Sequence, residues 1–335
     1  MGLPVVAQSA QATVPRGTRE VHHSAHKNAA HKKVKPVLFG LNDHWENQII
    51  SDDSQDHARS GIVGTFLPWR ESTMTVAGEA SAVVHYSQWA RSRGAIPMID
   101  LYPPAGVTLA QIAAGDEDDA LNLYAKDLAG WNHTFLLRLF PEMNGPWESY
   151  SPGYNGNTAA QFIAAWRHVY NLFHQDGASN VQFIWNPDKL LTPQAVSFAR
   201  LWPGSQYVDW VGLDVYMNGA NVKTVVSARA AALPSVQAIR RFTNKPLIIP
   251  EVGVSNTSRK AHWIANSVRG LASLGAKAIV WFNEALTKNT NWRFDSSSSA
   301  LAAARRTLAG PLVAWPGHNG GSLTHDQALV AKGSW

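Results

Sequence analysis

Two glutamates stand out in this sequence because each comes at the end of a run of apolar residues. Glu142 follows the segment 135–140, FLLRLF, after one proline, and Glu251 follows the segment 247–250, LIIP. A carboxylate beside buried chain is costly unless pairing or chemistry requires it. Carboxyl groups can donate a proton, accept one, or attack an electrophilic carbon. The two glutamates are therefore the first candidates for a catalytic pair.

A repeating order of elements provides the frame that must position this pair. Short, nearly continuous apolar runs alternate with amphipathic patterns, as expected for parallel strands covered by helices. The predicted strands are 37–41, 62–67, 95–101, 135–140, 181–185, 208–216, 247–250 and 278–282, and the clearest predicted helices are 77–93, 109–130, 158–175, 259–274 and 297–308. Eight strands alternating with helices predict an α/β fold of the (β/α)8 TIM-barrel type, which typically takes about 250 residues. A doubly wound sheet is the alternative, but its glycine-rich phosphate loop after an early strand is missing from the sequence.

The active site of such a barrel lies at the carboxyl ends of its strands, and both glutamates follow strand ends. Side chains alternate along a strand, so we expect Phe140 and Glu142 to share a face with Arg138. On the same rule, Leu247 and Ile249 should share a face with Glu251. The 109 residues between the glutamates span three strand–helix units, about 36 residues each, which places them on opposite sides of the barrel mouth.

Two facing carboxylates are the minimum apparatus for hydrolysis of a glycosidic bond. We expect Arg138 to keep a neighbouring carboxylate ionised by charge pairing and Tyr216 to donate a hydrogen bond to the nucleophile. The sequence contains 14 tryptophans, and flat indole rings suit the apolar faces of sugars. The tryptophans that we expect to form the sugar platform and further subsites are Trp281, Trp147, Trp185 and Trp69.

The segment 135–147, FLLRLFPEMNGPW, resembles the strand-4 signature of glycoside hydrolase family 26, a family of β-mannanases, β-glucanases and β-1,3-xylanases with retaining barrels. The resemblance continues through 211–216 (VGLDVY), 245–253 (KPLIIPEVG), Trp281 and 292–296 (WRFDS), and it covers about residues 37–310.

The resemblance implies that Glu142 is the acid/base and Glu251 the nucleophile of an endo-acting enzyme that cleaves a β-linked polysaccharide, most often β-mannan or β-glucan. It further implies that Arg138 and Tyr216 contact the nucleophile, that Trp281 is the platform, and that Asp214 lies near the cleavage subsite. With Trp147, Trp185 and Trp69, Asn144 completes the predicted substrate-binding set.

The chain departs from the family pattern at two positions. Family members usually carry a histidine directly before the acid/base, where this chain has Pro141. Many mannanases have a histidine at the end of strand 3, where this chain has the segment 100–103, DLYP. Because both positions contact the sugar, the departures bear on the identity of the substrate.

Charge and composition restrict the remaining classes of function. The formal net charge is +5, and residues 1–36 alone carry six basic residues against one acid, so the rest of the chain is nearly neutral. That distribution argues against a nucleic-acid-binding face, and the sequence has no apolar run long enough to cross a membrane. There are no cysteines, which excludes disulfides and thiolate chemistry. We expect a monomer without metal or cofactor, whose partner is a polysaccharide or oligosaccharide.

We predict three regions along the chain. Residues 1–35 form a disordered basic arm, interpreted as the remnant of an export signal of a secreted protein; 36–311 form the catalytic barrel; and 312–335 form a C-terminal extension.

Three alternatives remain open from the residues alone. The glutamates would be a structural ion pair with Arg138; the barrel would bind carbohydrate without turnover, because Pro141 disrupts the acid/base; or the basic arm would bind a polyanion.

Overall fold

The strands of this protein are parallel and close into a barrel. The computed structural model describes residues 35–43, 46–70, 75–154, 156–191, 193–217, 225–285 and 290–319. In these ranges the strands are β1 (Val37–Asn42), β2 (Ile62–Pro68), β3 (Ile96–Tyr102), β4 (Phe135–Leu139), β5 (Val181–Trp185), β6 (Trp210–Gly212), β7 (Val215–Met217), β8 (Leu247–Val254), β9 (Ala276–Phe282) and β10 (Val313–Ala314). The helices are α1 (Glu46–Asp56), α2 (Val76–Ser92), α3 (Leu109–Ala114), α4 (Asp118–Trp131), α5 (Ala159–Gln175), α6 (Ala228–Ile239), α7 (Lys260–Ala272) and α8 (Ser298–Leu308).

Pairing of the first and last barrel strands closes the sheet. Strands β1 to β6 pair in chain order, β6 pairs with β8, β8 with β9, and β9 returns to β1. The short strands β6 and β7 both pair with β8 and together take the sixth position of the barrel. The predicted (β/α)8 TIM barrel is therefore confirmed, and the doubly wound alternative is excluded by the closure.

Apolar side chains form two layers separated by the barrel wall. The interior holds a small cluster that draws on most of the barrel strands: Leu38, Ile62, Ile96, Met98, Leu136, Ile184, Trp210, Ile248, Ala278 and Val280. A much larger cluster fills the space between the strands and the surrounding helices. Because both faces of most strands are buried, these strands have the continuous apolar character typical of parallel sheets.

Several predicted elements differ from those observed. The predicted helix 109–130 is two helices, α3 and α4, because Gly115 ends α3 with a left-handed backbone at φ 91°. The helix α6 was missed because Pro234 lies inside it, and proline normally marks a helix boundary. The helix α1, with the sequence ENQIISDDSQD, was missed because it has too few apolar residues to show a periodic pattern.

The predicted terminal regions fall largely outside the described residues. The arm 1–35, apart from Lys35, and most of the extension 312–335 lie there, so the division into three regions stays a prediction. Within the extension, β10 pairs with β1 in parallel. Among the described residues, no helix is both long and apolar enough to cross a bilayer.

Candidate active site

Glu142 reaches the barrel mouth through two left-handed residues rather than through regular alternation. Phe140 and Glu142 have φ values of 49° and 52°, which is uncommon for residues with a side chain. The Glu142 N–H donates to the carbonyl of Asn186 at 2.7 Å, and the Tyr150 hydroxyl donates to the carbonyl of Pro141 at 2.7 Å. The expected shared face of Arg138, Phe140 and Glu142 is thus wrong for Phe140, whose ring packs outside the barrel against Trp166.

Glu251 reaches the same mouth through an irregularity in β8. Ile248 belongs to the interior cluster, whereas Leu247 and Ile249 belong to the outer one. The pairing register with β9 shifts between Ile249 and Val252, and such a bulge moves later side chains to the other face. The expected alternation of Leu247, Ile249 and Glu251 was therefore wrong, although Glu251 itself does face the interior.

A single guanidinium joins three carboxylates below the mouth. Arg138 is fully buried, and its Nη1 donates to Asp100 Oδ2 and to Glu251 Oε1, both at 2.5 Å. Its Nη2 donates to Asp214 Oδ2 at 2.6 Å, and the Asn186 side chain donates to the same oxygen at 2.8 Å. Arg138 therefore does contact Glu251, as predicted, and Asp214 lies beside it in the same network.

Asp100 was not among the predicted site residues. It is the first residue of the DLYP segment, and it lies directly opposite Arg138 in the register of β3 and β4. That register, together with the inward direction of Arg138, is the signal that could have identified it.

Burial and charge give the carboxyl groups of the site different protonation behaviour. Burial raises the pKa of Asp100 and of Asp214 well above the ordinary value, and Arg138 opposes that rise. Burial disfavours the charged form of Arg138, but the surrounding carboxylates raise its pKa overall. Because Arg138 is one cation among several buried carboxyl groups, it cannot offset the burial of all of them, and the protonated form is favoured in Asp100 and Asp214.

Glu142 lies outside the reach of this guanidinium's hydrogen bonds. Its pKa is raised well above the ordinary value, first by burial and then by the charges of Asp188 and Glu251. Arg138 and a hydrogen bond from the Trp147 indole act in the opposite direction. Glu142 is thus suited to remain protonated, whereas Glu251 is held by a cation and by hydrogen-bond donors.

Among the described residues, the side chains that donate hydrogen bonds to Glu251 lie on three strands. Besides Arg138 on β4, the Tyr216 hydroxyl on β7 donates to Oε2 at 2.5 Å. The Asn42 side-chain amide on β1 donates to Oε1 at 3.5 Å. The predicted hydrogen bond from Tyr216 to Glu251 is therefore present.

The two glutamates line one cavity and lie close together. The cavity has a volume of about 240 Å³. Its lining residues are Phe66, Asp100, Tyr102, Arg138, Pro141, Glu142, Glu148, Tyr150 and Glu251. One carboxylate oxygen each from Glu142, Asp214 and Glu251 lie within 4.8 Å of one another. These oxygens lie closer together than the roughly 6.5–9.5 Å that separates the carboxyl groups of inverting enzymes.

Three of the four predicted sugar-stacking tryptophans do not face the cavity. Trp69 and Trp185 are fully buried, and Trp281 is 4% exposed; all three belong to the outer cluster. Their N–H groups are bound inside the protein, Trp69 to Glu117, Trp185 to the carbonyl of Leu201 and Trp281 to the carbonyl of Trp292.

The prediction failed because Trp185 and Trp281 occupy outward positions of their strands, and Trp69, directly after β2, also packs in the outer cluster. Phe282, next to Trp281, points the other way and meets both Phe66 and Tyr216 edge to face. Trp292 packs on Tyr216 with ring centroids 4.8 Å apart. Phe282 and Trp292, rather than Trp281, therefore pack against Tyr216, which donates to Glu251.

Trp147 and Asn144 lie beside Glu142 in two different ways. Trp147 is 51% exposed, and its Nε1 donates to Glu142 Oε2 at 2.7 Å. Asn144 is buried, and its amide donates to the carbonyl of Asp188 at 3.1 Å. Asn144 thus connects the loop after β4 to the loop after β5, and the structure gives it no place on the cavity wall.

The fold and the paired carboxylates at the strand ends define the class of barrel glycoside hydrolases. The model of Glycosyl hydrolase family 26 matches residues 115–279 of the chain. The chain belongs to this family.

Curated relatives carry several different activities in their names. The chain is 30% identical over 277 residues to Endoglucanase H of Acetivibrio thermocellus, an alignment that covers 78% of this chain and 29% of that protein. It is 28% identical over 142 residues to Beta-1,3-xylanase TXYA of Vibrio sp, covering 42% and 28% of the two chains. It is 32% identical over 125 residues to Mannan endo-1,4-beta-mannosidase A and B of Caldalkalibacillus mannanilyticus, covering 36% and 22%. The chain thus spans less than a third of the length of these relatives.

Solved structures share the fold at low sequence identity. A GH26 β-mannanase from Bacteroides ovatus superposes with a TM-score of 0.64 at 14% identity, covering 86% of this chain and 92% of that one. The catalytic domain of an endo-β-1,4-mannanase from Bacillus sp. JAMB-750 gives a TM-score of 0.66 at 17% identity, covering 86% and 89%. These similarities establish the barrel and leave the substrate open.

Proposed function

We propose that this chain is a retaining, endo-acting glycoside hydrolase that cleaves a β-linked polysaccharide, with β-mannan or β-glucan as the main candidates. Glu142 is the acid/base, and Glu251 is the nucleophile. The observation that carries the proposal is the close approach of these two carboxyl groups in opposite environments. Their oxygens lie within 4.8 Å, Glu142 has a raised pKa, and Glu251 is bound by Arg138 and Tyr216.

Each step of a double displacement has a group in place. In the first step Glu251 attacks the anomeric carbon, the glycosidic bond breaks, and the Glu142 proton goes to the departing oxygen. Glu142 is then a carboxylate and accepts a proton from the water that attacks the glycosyl–enzyme ester. Glu251 is released as a carboxylate, and its two oxygens return to the hydrogen bonds of Arg138 and Tyr216.

The nature of the cavity supports a neutral sugar at the cleavage point. Among the described residues that line the cavity, four are acidic, and the single cation, Arg138, is already bound to three carboxylates. A uronic acid would bring further negative charge into this low-dielectric space, which is unfavourable. The names of the relatives, an endoglucanase and a mannan endo-β-mannosidase, support endo action on such neutral polymers.

The proposal is tested by release of reducing ends from a panel of purified polysaccharides that includes mannan, mixed-linkage glucan and β-1,3-xylan. We expect hydrolysis of at least one polymer by the unchanged chain and its loss in Glu142→Gln and Glu251→Ala. Asp127→Asn, on a partly exposed position of α4, is the matched control and should keep full activity. Turnover by either glutamate variant at the rate of the unchanged chain would contradict the assignment.

Binding measurements on the same panel separate hydrolysis from carbohydrate binding alone. Saturable binding to a polymer that the unchanged chain never cleaves would favour a barrel without turnover.

We also propose that the protein acts outside the cell, where polysaccharides of this kind occur. Recovery of the protein only from the cell interior of its source would contradict that location.

A further inference from the structure

The exposed side chain of Trp147 makes a contact that stacking on a sugar does not require. Its indole N–H donates to Glu142 Oε2 at 2.7 Å although the ring is 51% exposed. Water would satisfy the N–H of an indole at such a position, so the contact adds little for the tryptophan itself. The contact instead affects the carboxyl group of Glu142, which accepts this hydrogen bond.

The chain between the two residues is shaped to bring the indole back onto the carboxyl group. The Gly145 N–H donates to the carbonyl of Glu142 at 2.8 Å, which closes a tight turn. The buried Asn144 anchors this turn to the carbonyl of Asp188. A Cβ atom on Gly145 would lie 2.3 Å from two indole carbons of Trp147, closer than real contacts allow. A side chain at position 145 would therefore displace the ring.

We propose that Trp147 is a positioning residue that fixes the proton of Glu142 on Oε1, and that Gly145 permits this arrangement. The proposal deepens the proposed function and rests on it. In a carboxylic acid the carbonyl oxygen accepts hydrogen bonds better than the hydroxyl oxygen does, so an N–H that donates to Oε2 favours the acid proton on Oε1. The proton therefore lies on the oxygen that Trp147 does not contact.

The same contact strengthens as the reaction proceeds. A hydrogen bond to a carboxylate is stronger than one to a neutral acid, so the indole favours the state in which Glu142 has given up its proton. Stabilisation that grows towards the transition state increases the rate rather than substrate binding. Loss of this one contact is expected to lower kcat by roughly tenfold to a hundredfold, with a smaller change in KM.

Three variants test the inference through activity. Trp147→Phe keeps an aromatic ring but removes the N–H, so kcat should fall and the alkaline limb of the kcat/KM profile should move to higher pH. Gly145→Ala should lower kcat in the unchanged chain and should have no further effect in the Trp147→Ala background. An equal loss in both backgrounds, or an unmoved alkaline limb in Trp147→Phe, would overturn the proposal.

A spectroscopic measurement tests the contact without turnover. In a ¹⁵N-correlated NMR spectrum of the whole chain, the indole resonance of Trp147 is assigned by its disappearance in Trp147→Phe. It should shift with pH in the unchanged chain and stay constant in Glu142→Gln. A resonance that does not titrate would overturn the positioning role even in an active enzyme. A titrating resonance in a chain that hydrolyses no glycan would uphold the contact and refute the proposed function.

Discussion

Replacement of Asp56 by asparagine should stabilise the protein, increasingly so at higher pH. Asp56 lies at the end of α1 and is 2% exposed, and within the described part of the chain neither of its carboxylate oxygens has a hydrogen-bond partner. Burial, followed by the charges of Asp52, Asp53 and Asp295, raises its pKa to about 9, against the weaker opposing effect of Arg305. The carboxyl group is therefore neutral in the folded protein at neutral pH.

The sign and size of the effect follow from proton linkage. An aspartate in the unfolded chain ionises near pH 4, so above that pH folding must take up a proton at Asp56. Stability is lost as pH rises from about 4 to about 9, by at most about 1.4 kcal/mol per pH unit. Asparagine does not ionise, and its amide can donate to the neighbouring carboxylates. Between pH 5 and pH 7 the advantage of Asp56→Asn should thus grow by up to about 2.7 kcal/mol.

Urea unfolding of both proteins at pH 5, 6 and 7 measures this difference. The free energy of unfolding of Asp56→Asn should exceed that of the unchanged chain by an amount that increases with pH. Asp127→Asn removes a carboxylate from a partly exposed helix position and should show no such trend. A difference for Asp56→Asn that is independent of pH would refute a buried neutral carboxyl group there.

Three further outcomes are expected in activity assays. Tyr216→Phe removes the hydrogen bond to Glu251, worth about 1.5–3 kcal/mol to a charged group, so kcat/KM should fall by roughly 10- to 150-fold; a loss below about threefold would argue against the role. Trp292→Ala removes the ring that packs on Tyr216 and should lower kcat/KM, whereas Trp185→Phe should lower the melting temperature and leave kcat/KM unchanged, because Trp185 lies in the outer shell; the reverse pattern would contradict these placements. The alkaline limb of kcat/KM should lie well above the ordinary glutamate pKa, since Glu142 must be protonated to act; a limb at the ordinary value would show that another group carries the proton.

The strand ends were the part of the site that the sequence could predict. Glu142, Arg138, Tyr216 and Glu251 converge in the structure because the order of apolar runs specifies a barrel, and a barrel brings its strand ends together. The resemblance to glycoside hydrolase family 26 indicated the same residues. The position of each of these residues in the site therefore follows largely from the order of the strands along the chain.

The face that each side chain takes could not be predicted with the same rule. Strands that are buried on both sides are apolar throughout, so a period of two does not mark the inward face. Trp281 and Phe282 are equally plausible platforms from sequence, and the structure turns Phe282 inward. Local irregularities also change the face of a side chain. The left-handed backbone of Glu142 and the bulge before Val252 cannot be predicted from a pattern of apolar residues.

The central claim is that Glu142 and Glu251 act as acid/base and nucleophile in a double displacement. The most direct test follows the anomeric protons of the first products by NMR, with a soluble β-glycan that the unchanged chain cleaves. Two successive inversions predict that the β-anomer appears first and that the α-anomer grows in later by mutarotation. First appearance of the α-anomer would mean a single inversion and would contradict the role of Glu251 as nucleophile.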